Sequence, residues 1–449
     1  MTKGTVDQSV NLPSDGLLQA RLTLRDEQQK HPTMSGLGRL YRREMLGDSE
    51  STLTPALARL GERRNFRPST KVPGYVSRGG FTFNPEDEER RIALAEDLIR
   101  RTDPGPFEDP NYLALLAYQA ASIELVLPPI IDSKKIDWGW SRFLLGTVHS
   151  PELNAFSKTL PPQDYTVVVV NSALIEFAYQ AAKAVIAALH PVWSTIPGTT
   201  VSSEFTEEHI RDELARNPEP IERLYRTLEG YFFTTGYPRA FYSESVPPEQ
   251  VIPLGELIDT AERWVIAHEY GHGFAARMGF KARAYESGLG GTAAKLAEEY
   301  YADDNATMLT VWSAAGLDAI GPDVSLAGAA FALACLEVKR RALSVVRCGK
   351  VLPDTGDAQH PTNEMRHYNV LRALDFYFEE GPQNKPGSTL DLYLVRRRPD
   401  WKPVDSEAKK ELHAHIHLWA NALFLIWDNV RPRLQKDYEN KRQLHTMWH

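Results

Sequence analysis

The sequence contains very little cysteine. Its 449 residues include 2 cysteines, Cys335 and Cys348, too few for a disulfide scaffold. The N-terminal stretch MTKGTVDQSVNLPSDG lacks the apolar segment of a secretory signal peptide. Both features are typical of a protein in a reducing compartment, and we expect a cytoplasmic protein.

Uninterrupted apolar runs of membrane-spanning length are absent as well. A span needs about 18 or more consecutive apolar residues. The segment TVVVVNSALIEFAYQAAKAVIAALHPVW is interrupted by Asn171, Glu176 and Lys183, and VSLAGAAFALACLEV is interrupted at Glu337. We predict that both form buried helices and that the protein has no membrane partner.

The chain also has no excess of positive charge. Its net charge of −8 and its pI near 5.9 argue against a general nucleic-acid binder. Basic residues outnumber acidic ones from Leu17 to Lys71, and we interpret this stretch as a solvated segment on the main body rather than an arm for an anionic partner. We divide the chain into an irregular, locally basic N-terminal region, residues 1–84, and a helical domain, residues 85–449.

The most informative stretch is AERWVIAHEYGHGFAARMG, which contains an H-E-x-x-H motif. Its apolar spacing predicts a helix over residues 261 to 278, which places His268 and His272 one turn apart on one face. Two imidazoles so placed can bind one zinc ion, and Glu269 can deprotonate a water molecule there. The alternative interpretation is an amphipathic helix with solvated polar residues.

A third protein ligand is needed to complete a zinc site. The metzincin pattern requires histidine at position 278, where this chain has Met278. Further along, KLAEEYYADDNATMLTVW contains E-x-x-A-D beginning at Glu299. Glu299 and Asp303 are i and i+4, so they share one face of a predicted helix. An exposed acidic helix face is the alternative interpretation of this segment.

Together, H-E-x-x-H and E-x-x-A-D resemble the motif pair of the gluzincin group of zinc metallopeptidases. The resemblance implies His268, His272 and Glu299 as zinc ligands and Glu269 as the general base. It further implies that Asp303 orients a ligand histidine, since a ligating imidazole usually donates its other N–H to a carboxylate or carbonyl.

Glu298 competes with Glu299 for the third ligand position. It has no acidic residue at i+4, because Ala302 stands there. We therefore favour Glu299.

The segment DAQHPTNEMR follows the third ligand. His360 precedes a predicted helix and Arg366 lies one turn into it, so either can stabilise an oxyanion. Gluzincins generally draw such a group from this part of the chain. A helix entry with a surface imidazole is an equally good interpretation, and Tyr285, Tyr300 and His367 are rival candidates.

The fold that we predict is α+β and predominantly helical. Helices are expected to start at Pro85 and Pro110, each after a capping residue, and a strand at Tyr165–Val170 precedes a helix from Ser172. The gluzincin resemblance implies a zincin-like core, at about residues 160–380, with a small β-sheet beside the H-E-x-x-H helix. An edge strand of such a sheet can pair with an extended peptide.

Two further patterns are given structural interpretations. The glycine-rich segment Ser287–Thr292 lacks the phosphate-loop pattern, so we interpret it as a flexible link. His413 and His417 are i,i+4 on a predicted helix and are assigned to surface or packing roles rather than to a second metal.

The function that we predict is that of a soluble, zinc-dependent metallopeptidase. Its predicted substrate is a protein or peptide, and we expect a narrow range of regulatory protein substrates. Two alternatives remain: a non-proteolytic zinc hydrolase, and a zinc-stabilised scaffold or binding protein without turnover. The oligomeric state is left open.

Overall fold

The computed structural model describes residues 15–30, 53–65, 85–104, 108–126, 142–148, 154–160, 165–193, 206–234, 246–277, 279–280, 291–318, 320, 322–354, 361–379 and 406–440. These residues are predominantly helical and include one three-stranded sheet, which confirms the prediction at that level.

Twelve α-helices lie in the described ranges. They are α1 (Asp15–Lys30), α2 (Leu53–Asn65), α3 (Pro85–Thr102), α4 (Pro110–Val126), α5 (Ser172–Trp193), α6 (Glu207–Arg216), α7 (Glu219–Glu229), α8 (Val251–Arg277), α9 (Gly291–Ser313), α10 (Pro322–Cys348), α11 (Asn363–Glu379) and α12 (Ser406–Asn440). The strands are β1 (Phe143–Val148), β2 (Ala155–Leu160) and β3 (Tyr165–Asn171).

Local chemistry sets several of these boundaries as predicted. Helix α3 begins at Pro85 with three acidic residues in its first turn, where they favour the positive end of the helix dipole. At the start of α4, the carboxylate of Asp109 accepts hydrogen bonds from the backbone N–H groups of Asn111 and Tyr112. Strand β3 and helix α5 also lie where the sequence predicts them.

Two helices lie within the N-terminal region that is predicted to be irregular, residues 1–84. The described parts of this region, residues 15–30 and 53–65, form α1 and α2. Helix α1 buries Ala20 and Leu24 against the sheet, and α2 buries Ala56 and Leu60 in the main core. Packing against distant residues stabilises these helices, and such packing leaves only a weak local pattern.

The helix that carries the H-E-x-x-H motif, α8, begins earlier than predicted. The Pro-rich stretch from 236 to 256 is predicted to be a connector, but α8 already begins at Val251. Pro253 lies in the first helical turn, where backbone N–H groups have no acceptor within the helix. A proline, which lacks this N–H, is therefore tolerated there.

The sheet has the order β1-β3-β2, with β1 parallel and β2 antiparallel to β3. Alternate residues face opposite sides, as the pleat requires. Leu144 and Val167 pack with α1, whereas Leu145 and Val168 belong to the main core. Strand β2 forms one edge of the sheet and contacts α8. The sheet therefore lies beside the helix that carries the two histidines.

Helix α5 contains the one stretch of the described chain that is long and apolar enough to cross a membrane. This window, Ser172–Leu189, has a mean hydropathy of 1.3, and 89% of it is buried inside the fold. Such burial is typical of a core helix.

Two glycines allow α8 to approach its neighbours closely. A Cβ atom at Gly271 would lie 2.7 Å from the Cα atom of Ala302 in α9. A Cβ atom at Gly273 would lie 2.9 Å from the ring of Phe143 in β1. Real Cβ atoms almost never lie within 3.0 Å of another heavy atom. The backbone of α8 can therefore approach α9 and β1 this closely only because glycine has no Cβ atom at these two positions.

We predict that Gly271→Ala separates α8 from α9. The added methyl group meets backbone atoms rather than a flexible side chain, so the overpacking should lower the free energy of unfolding by about 1–3 kcal/mol. Metal content should fall with it, since the two helices carry different ligands. Gly255→Ala is the matched control, because a Cβ atom there has open space. It should leave metal content unchanged and raise stability by up to about 1 kcal/mol. Chemical denaturation and elemental analysis measure both effects, and equal behaviour of the two variants would contradict the prediction.

A buried carboxyl group ties α1 to the sheet. Glu108 is 1% exposed and accepts hydrogen bonds from the backbone N–H and the hydroxyl of Thr147, at 2.9 and 2.8 Å, and from the Gln28 amide of α1. Burial raises the pKa of Glu108 to about 7, although these hydrogen bonds act in the opposite direction.

Protein stability should therefore fall as the pH rises. Since the pKa of Glu108 is higher in the folded than in the unfolded protein, its contribution is fully present below about pH 4.5 and is lost as the pH rises through 7. Each pKa unit corresponds to about 1.4 kcal/mol, so the decline is on the order of 3 kcal/mol. The free energy of unfolding, measured by urea denaturation, should fall less between pH 5 and pH 8 in Glu108→Gln than in the unsubstituted protein. Glu96→Gln, at an exposed position of α3, should behave like the unsubstituted protein.

Candidate metal centre

Three side chains from α8 and α9 converge on one point. His268 and His272 of α8 bring their Nε2 atoms to 3.2 Å from each other. Glu299 of α9 lies 3.6 Å from His268 Nε2 through Oε2 and 3.4 Å from His272 Nε2 through Oε1. The ligand atoms all lie within 4.8 Å of one another, and this group could hold a metal ion.

These separations can be compared with those that a metal requires. Ligand bonds of about 2.0–2.2 Å at tetrahedral angles place neighbouring donor atoms roughly 3.3–3.5 Å apart. The distance of 3.2 Å between the two Nε2 atoms is close to that separation, as are the distances of 3.6 and 3.4 Å from His268 and His272 to different oxygens of Glu299. Two imidazole nitrogens and one carboxylate suit a first-row divalent metal such as zinc. The residues therefore fit such an ion in both spacing and chemistry.

His268 is held in place by a buried carboxylate. Its Nδ1 atom lies 2.9 Å from Oδ1 of Asp303, which is fully buried. An Nδ1–H group that donates to Asp303 leaves the Nε2 lone pair free for a metal. Trp264, one turn earlier on α8, stacks on the imidazole with ring centroids 5.7 Å apart. Its indole N–H donates to Thr307 of α9, which also holds the two helices together.

Arg366, which the sequence predicts to stabilise an oxyanion, contacts Asp303. Its Nε and Nη2 atoms lie 3.0 and 2.7 Å from the two oxygens of that carboxylate. Burial opposes ionisation of Asp303, but the charge of Arg366 and the hydrogen bond from His268 outweigh it and lower the pKa of Asp303 to about 2. Asp303 therefore stays ionised, and the geometry favours Arg366 as a residue that positions Asp303.

His272 has its own carboxylate partner. Oε1 of Glu298 lies 3.3 Å from His272 Nδ1, on the side of the ring away from Glu299. The structure thus gives the two adjacent glutamates different places: Glu299 joins the ligand group and Glu298 contacts the outer nitrogen. Burial lowers the pKa of His272, but the hydrogen bond to Glu298 and the charges of Glu269 and Glu299 outweigh it, so that the pKa is raised. A surplus of negative charge at this point favours a bound cation.

Glu269 follows the first histidine and is 5% exposed. Within the described part of the chain, no side chain donates a hydrogen bond to its carboxylate. It lies near enough to His272 and Arg366 to affect their pKa values. The carboxylate is therefore available to a water molecule or a substrate beside the ligand group.

The tyrosine inside the motif fixes α8 from the opposite side. The hydroxyl of Tyr270 donates to the buried Glu124 of α4 at 2.9 Å, and its ring stacks on Phe143 of β1 with centroids 3.9 Å apart. Burial raises the pKa of Glu124 to about 7. Sequence reasoning missed this contact, as it did the contacts of Trp264 and Glu298, because each is made with a residue distant in sequence or on another helix.

Of the remaining candidates, His360, Tyr285 and most of Ser287–Thr292 fall outside the described residues, as does the side chain of His413. The hydroxyl of Tyr300 is 3.6 Å from the sulfur of Met365. Nε2 of His367 is 3.1 Å from Nδ1 of His417, so His417 packs against α11. Among the described side chains, the His268, His272 and Glu299 group is the one set of three that could hold a metal.

Comparison of the chain with protein-family models, with curated proteins and with solved structures gives no significant match.

Metal analysis can separate the roles of the two glutamates. We predict about one metal ion per chain in the unsubstituted protein and a loss of metal in Glu299→Ala, because that change removes a donor atom. Glu298→Ala should retain the metal with an affinity about 10–100-fold weaker, the effect typical of losing a group that orients a ligand. Elemental analysis and competition with a chromogenic chelator would measure both. Full retention of metal in Glu299→Ala would rule out Glu299 as a ligand.

Proposed function

We propose that the protein is a zinc-dependent metallopeptidase of gluzincin type. The observation that carries the proposal is the convergence of His268, His272 and Glu299, whose ligand atoms, one from each residue, all lie within 4.8 Å of one another. Beside them lies the buried carboxylate of Glu269, which accepts no hydrogen bond from a side chain of the described residues. Bound zinc would lower the pKa of a water molecule to about 7 and polarise a substrate carbonyl.

Glu269 supplies proton transfer in this proposal. Its carboxylate accepts a proton from the attacking water and then delivers it to the departing amine. Burial of Glu269 favours this role, because a carboxylate shielded from bulk water interacts more strongly with a reacting group. A site that served only to stabilise the fold would not need a buried carboxylate without a hydrogen-bonding partner in the described chain. This argues against the scaffold alternative.

The surrounding residues keep the imidazoles in position. Asp303 accepts the Nδ1–H of His268 and is itself held by Arg366. Glu298 does the same for His272. Both rings then present Nε2 to the metal, and neither has to turn when a substrate arrives.

The position of β2 supports a peptide as the substrate. This strand pairs with β3 on one side and contacts α8, and no further strand pairs with it among the described residues. An extended peptide added to a sheet edge binds mainly through its backbone, which brings a peptide bond to the site with little dependence on side chains. A narrow protein substrate, as the sequence predicts, would then require recognition outside this strand.

The decisive variant is Glu269→Gln. We expect it to retain the metal, because residue 269 is not a ligand, and to lose turnover by about 10²–10⁴-fold, the usual contribution of a general base. The assay would incubate the metal-loaded protein with a library of unstructured peptides and identify cleaved bonds by mass spectrometry. A variant that lost both metal and activity would be uninformative, so metal content is measured on the same sample.

Two outcomes would contradict the proposal. Cleavage of a small ester or amide with an untouched peptide library would indicate a non-proteolytic hydrolase. Equal turnover in Glu269→Gln and in the unsubstituted protein would remove Glu269 from the reaction.

A further inference from the structure

A cavity whose lining does not include the metal group lies beside α11. It has a volume of about 660 Å³ and is bounded by α10, α11, α12 and residues 351–354. On α11, Arg366 faces Asp303, whereas the next residue, His367, lines this cavity. Its volume falls within the range of about 300–1,000 Å³ that small-molecule sites occupy.

The cavity combines an apolar floor with a few polar groups. Leu333 and Ala334 of α10 and Phe424 of α12 contribute apolar surface. The adjacent glutamate, Glu337, is occupied by protein partners, since it accepts hydrogen bonds from Arg340, Arg341 and Asn363. Such a lining suits a ligand with an apolar body rather than a bare inorganic ion.

The two arginines of the lining differ in how many of their guanidinium nitrogens already donate hydrogen bonds. Arg340 uses Nε and Nη2 on Glu337 and Nη1 on the carbonyl of Leu352. Arg341 donates only through Nε, at 2.6 Å to Glu337, and its guanidinium lies 5.0 Å from the ring centroid of Phe424. Its Nη atoms have no hydrogen-bond partner among the described residues. Guanidinium groups bind carboxylates in a two-pronged geometry.

The histidine pair adds polarity to the lining. His367 and His417 have ring nitrogens 3.1 Å apart. Burial, followed by the proximity of His417, lowers the pKa of His367 to about 4, so His367 is neutral at physiological pH. Glu364, exposed at the rim, disfavours ligands with more than one negative charge. Of the two arginines in the described lining, Arg341 is thus the one whose Nη atoms both lack a hydrogen-bond partner among the described residues.

We propose that this cavity binds a small organic monocarboxylate whose carboxylate pairs with Arg341 and whose apolar body lies on Leu333 and Phe424. The site is separate from the metal centre and does not depend on the proposed peptidase activity.

The test uses 3-(4-fluorophenyl)propanoate as a probe with the full-length, metal-loaded protein. Fluorine NMR titration should show saturable binding, and Arg341→Gln should weaken it by about 10–100-fold, the effect of losing a hydrogen-bonded charge. Arg347→Gln is the matched control, since Arg347 lies on the same helix, is exposed and does not line the cavity. It should bind like the unsubstituted protein. Metal content should be the same in all three proteins.

Two matched ligands and a second variant keep the test decisive. The neutral analogue 3-(4-fluorophenyl)propanamide should bind at least about tenfold more weakly, and inorganic phosphate should not displace the probe. Ala334→Leu, which fills the floor and retains Arg341, should abolish binding even if Arg341→Gln fails to fold. Absence of probe binding, equal affinity for the amide, displacement by phosphate, or unchanged binding in Ala334→Leu would each overturn the proposal.

Discussion

The close approach of α8 and α9 is the constraint on which the candidate metal centre depends. Two of the three side chains that could bind a metal come from one helix and the third from the other, so their spacing follows from the distance between the helix backbones. That distance is set where Gly271 faces Ala302, with no room for a Cβ atom on α8. About two turns earlier on α8, the indole N–H of Trp264 donates to Thr307 of α9 and holds the same pair of helices together. Both contacts lie within about one turn of His268 or His272. A small shift of α8 relative to α9 there would move the histidine nitrogens away from the Glu299 carboxylate.

Charge around the site follows from the same geometry. Glu269, Glu298, Glu299 and Asp303 are gathered near two imidazoles, and Arg366 neutralises only Asp303. Burying negative charge is unfavourable unless positive charge compensates it, so this surplus of carboxylates favours a bound cation. The raised pKa of His272 has the same origin. A proton on His272 neutralises part of the negative charge of these carboxylates, and a divalent ion would neutralise more of it.

The helices outside the two motifs hold α8 at several points along its length. Near its middle, Arg263 pairs with Asp318, which also pairs with Arg91 of α3. Closer to the site, Tyr270 donates to Glu124 of α4. The N-terminal half of the chain, which the motifs do not explain, thus supplies buried partners for the metal-motif helix. Its described residues orient that helix, and none of them belongs to the group that could hold a metal.

The sequence by itself determined the features that depend on neighbouring residues. Capping at Asp109, the apolar strand Tyr165–Val170 and the one-turn spacing of His268 and His272 are local, and each is found where it is predicted. Tertiary structure decided the rest. Whether Glu298 or Glu299 faces the histidines depends on how α9 is rotated against α8, and Arg366 meets Asp303 only because α11 packs on α9. Helix α1 and strand β1 are likewise stabilised by partners far along the chain. The physical reason is the same in each case, because a local sequence pattern does not specify which surfaces pack against each other.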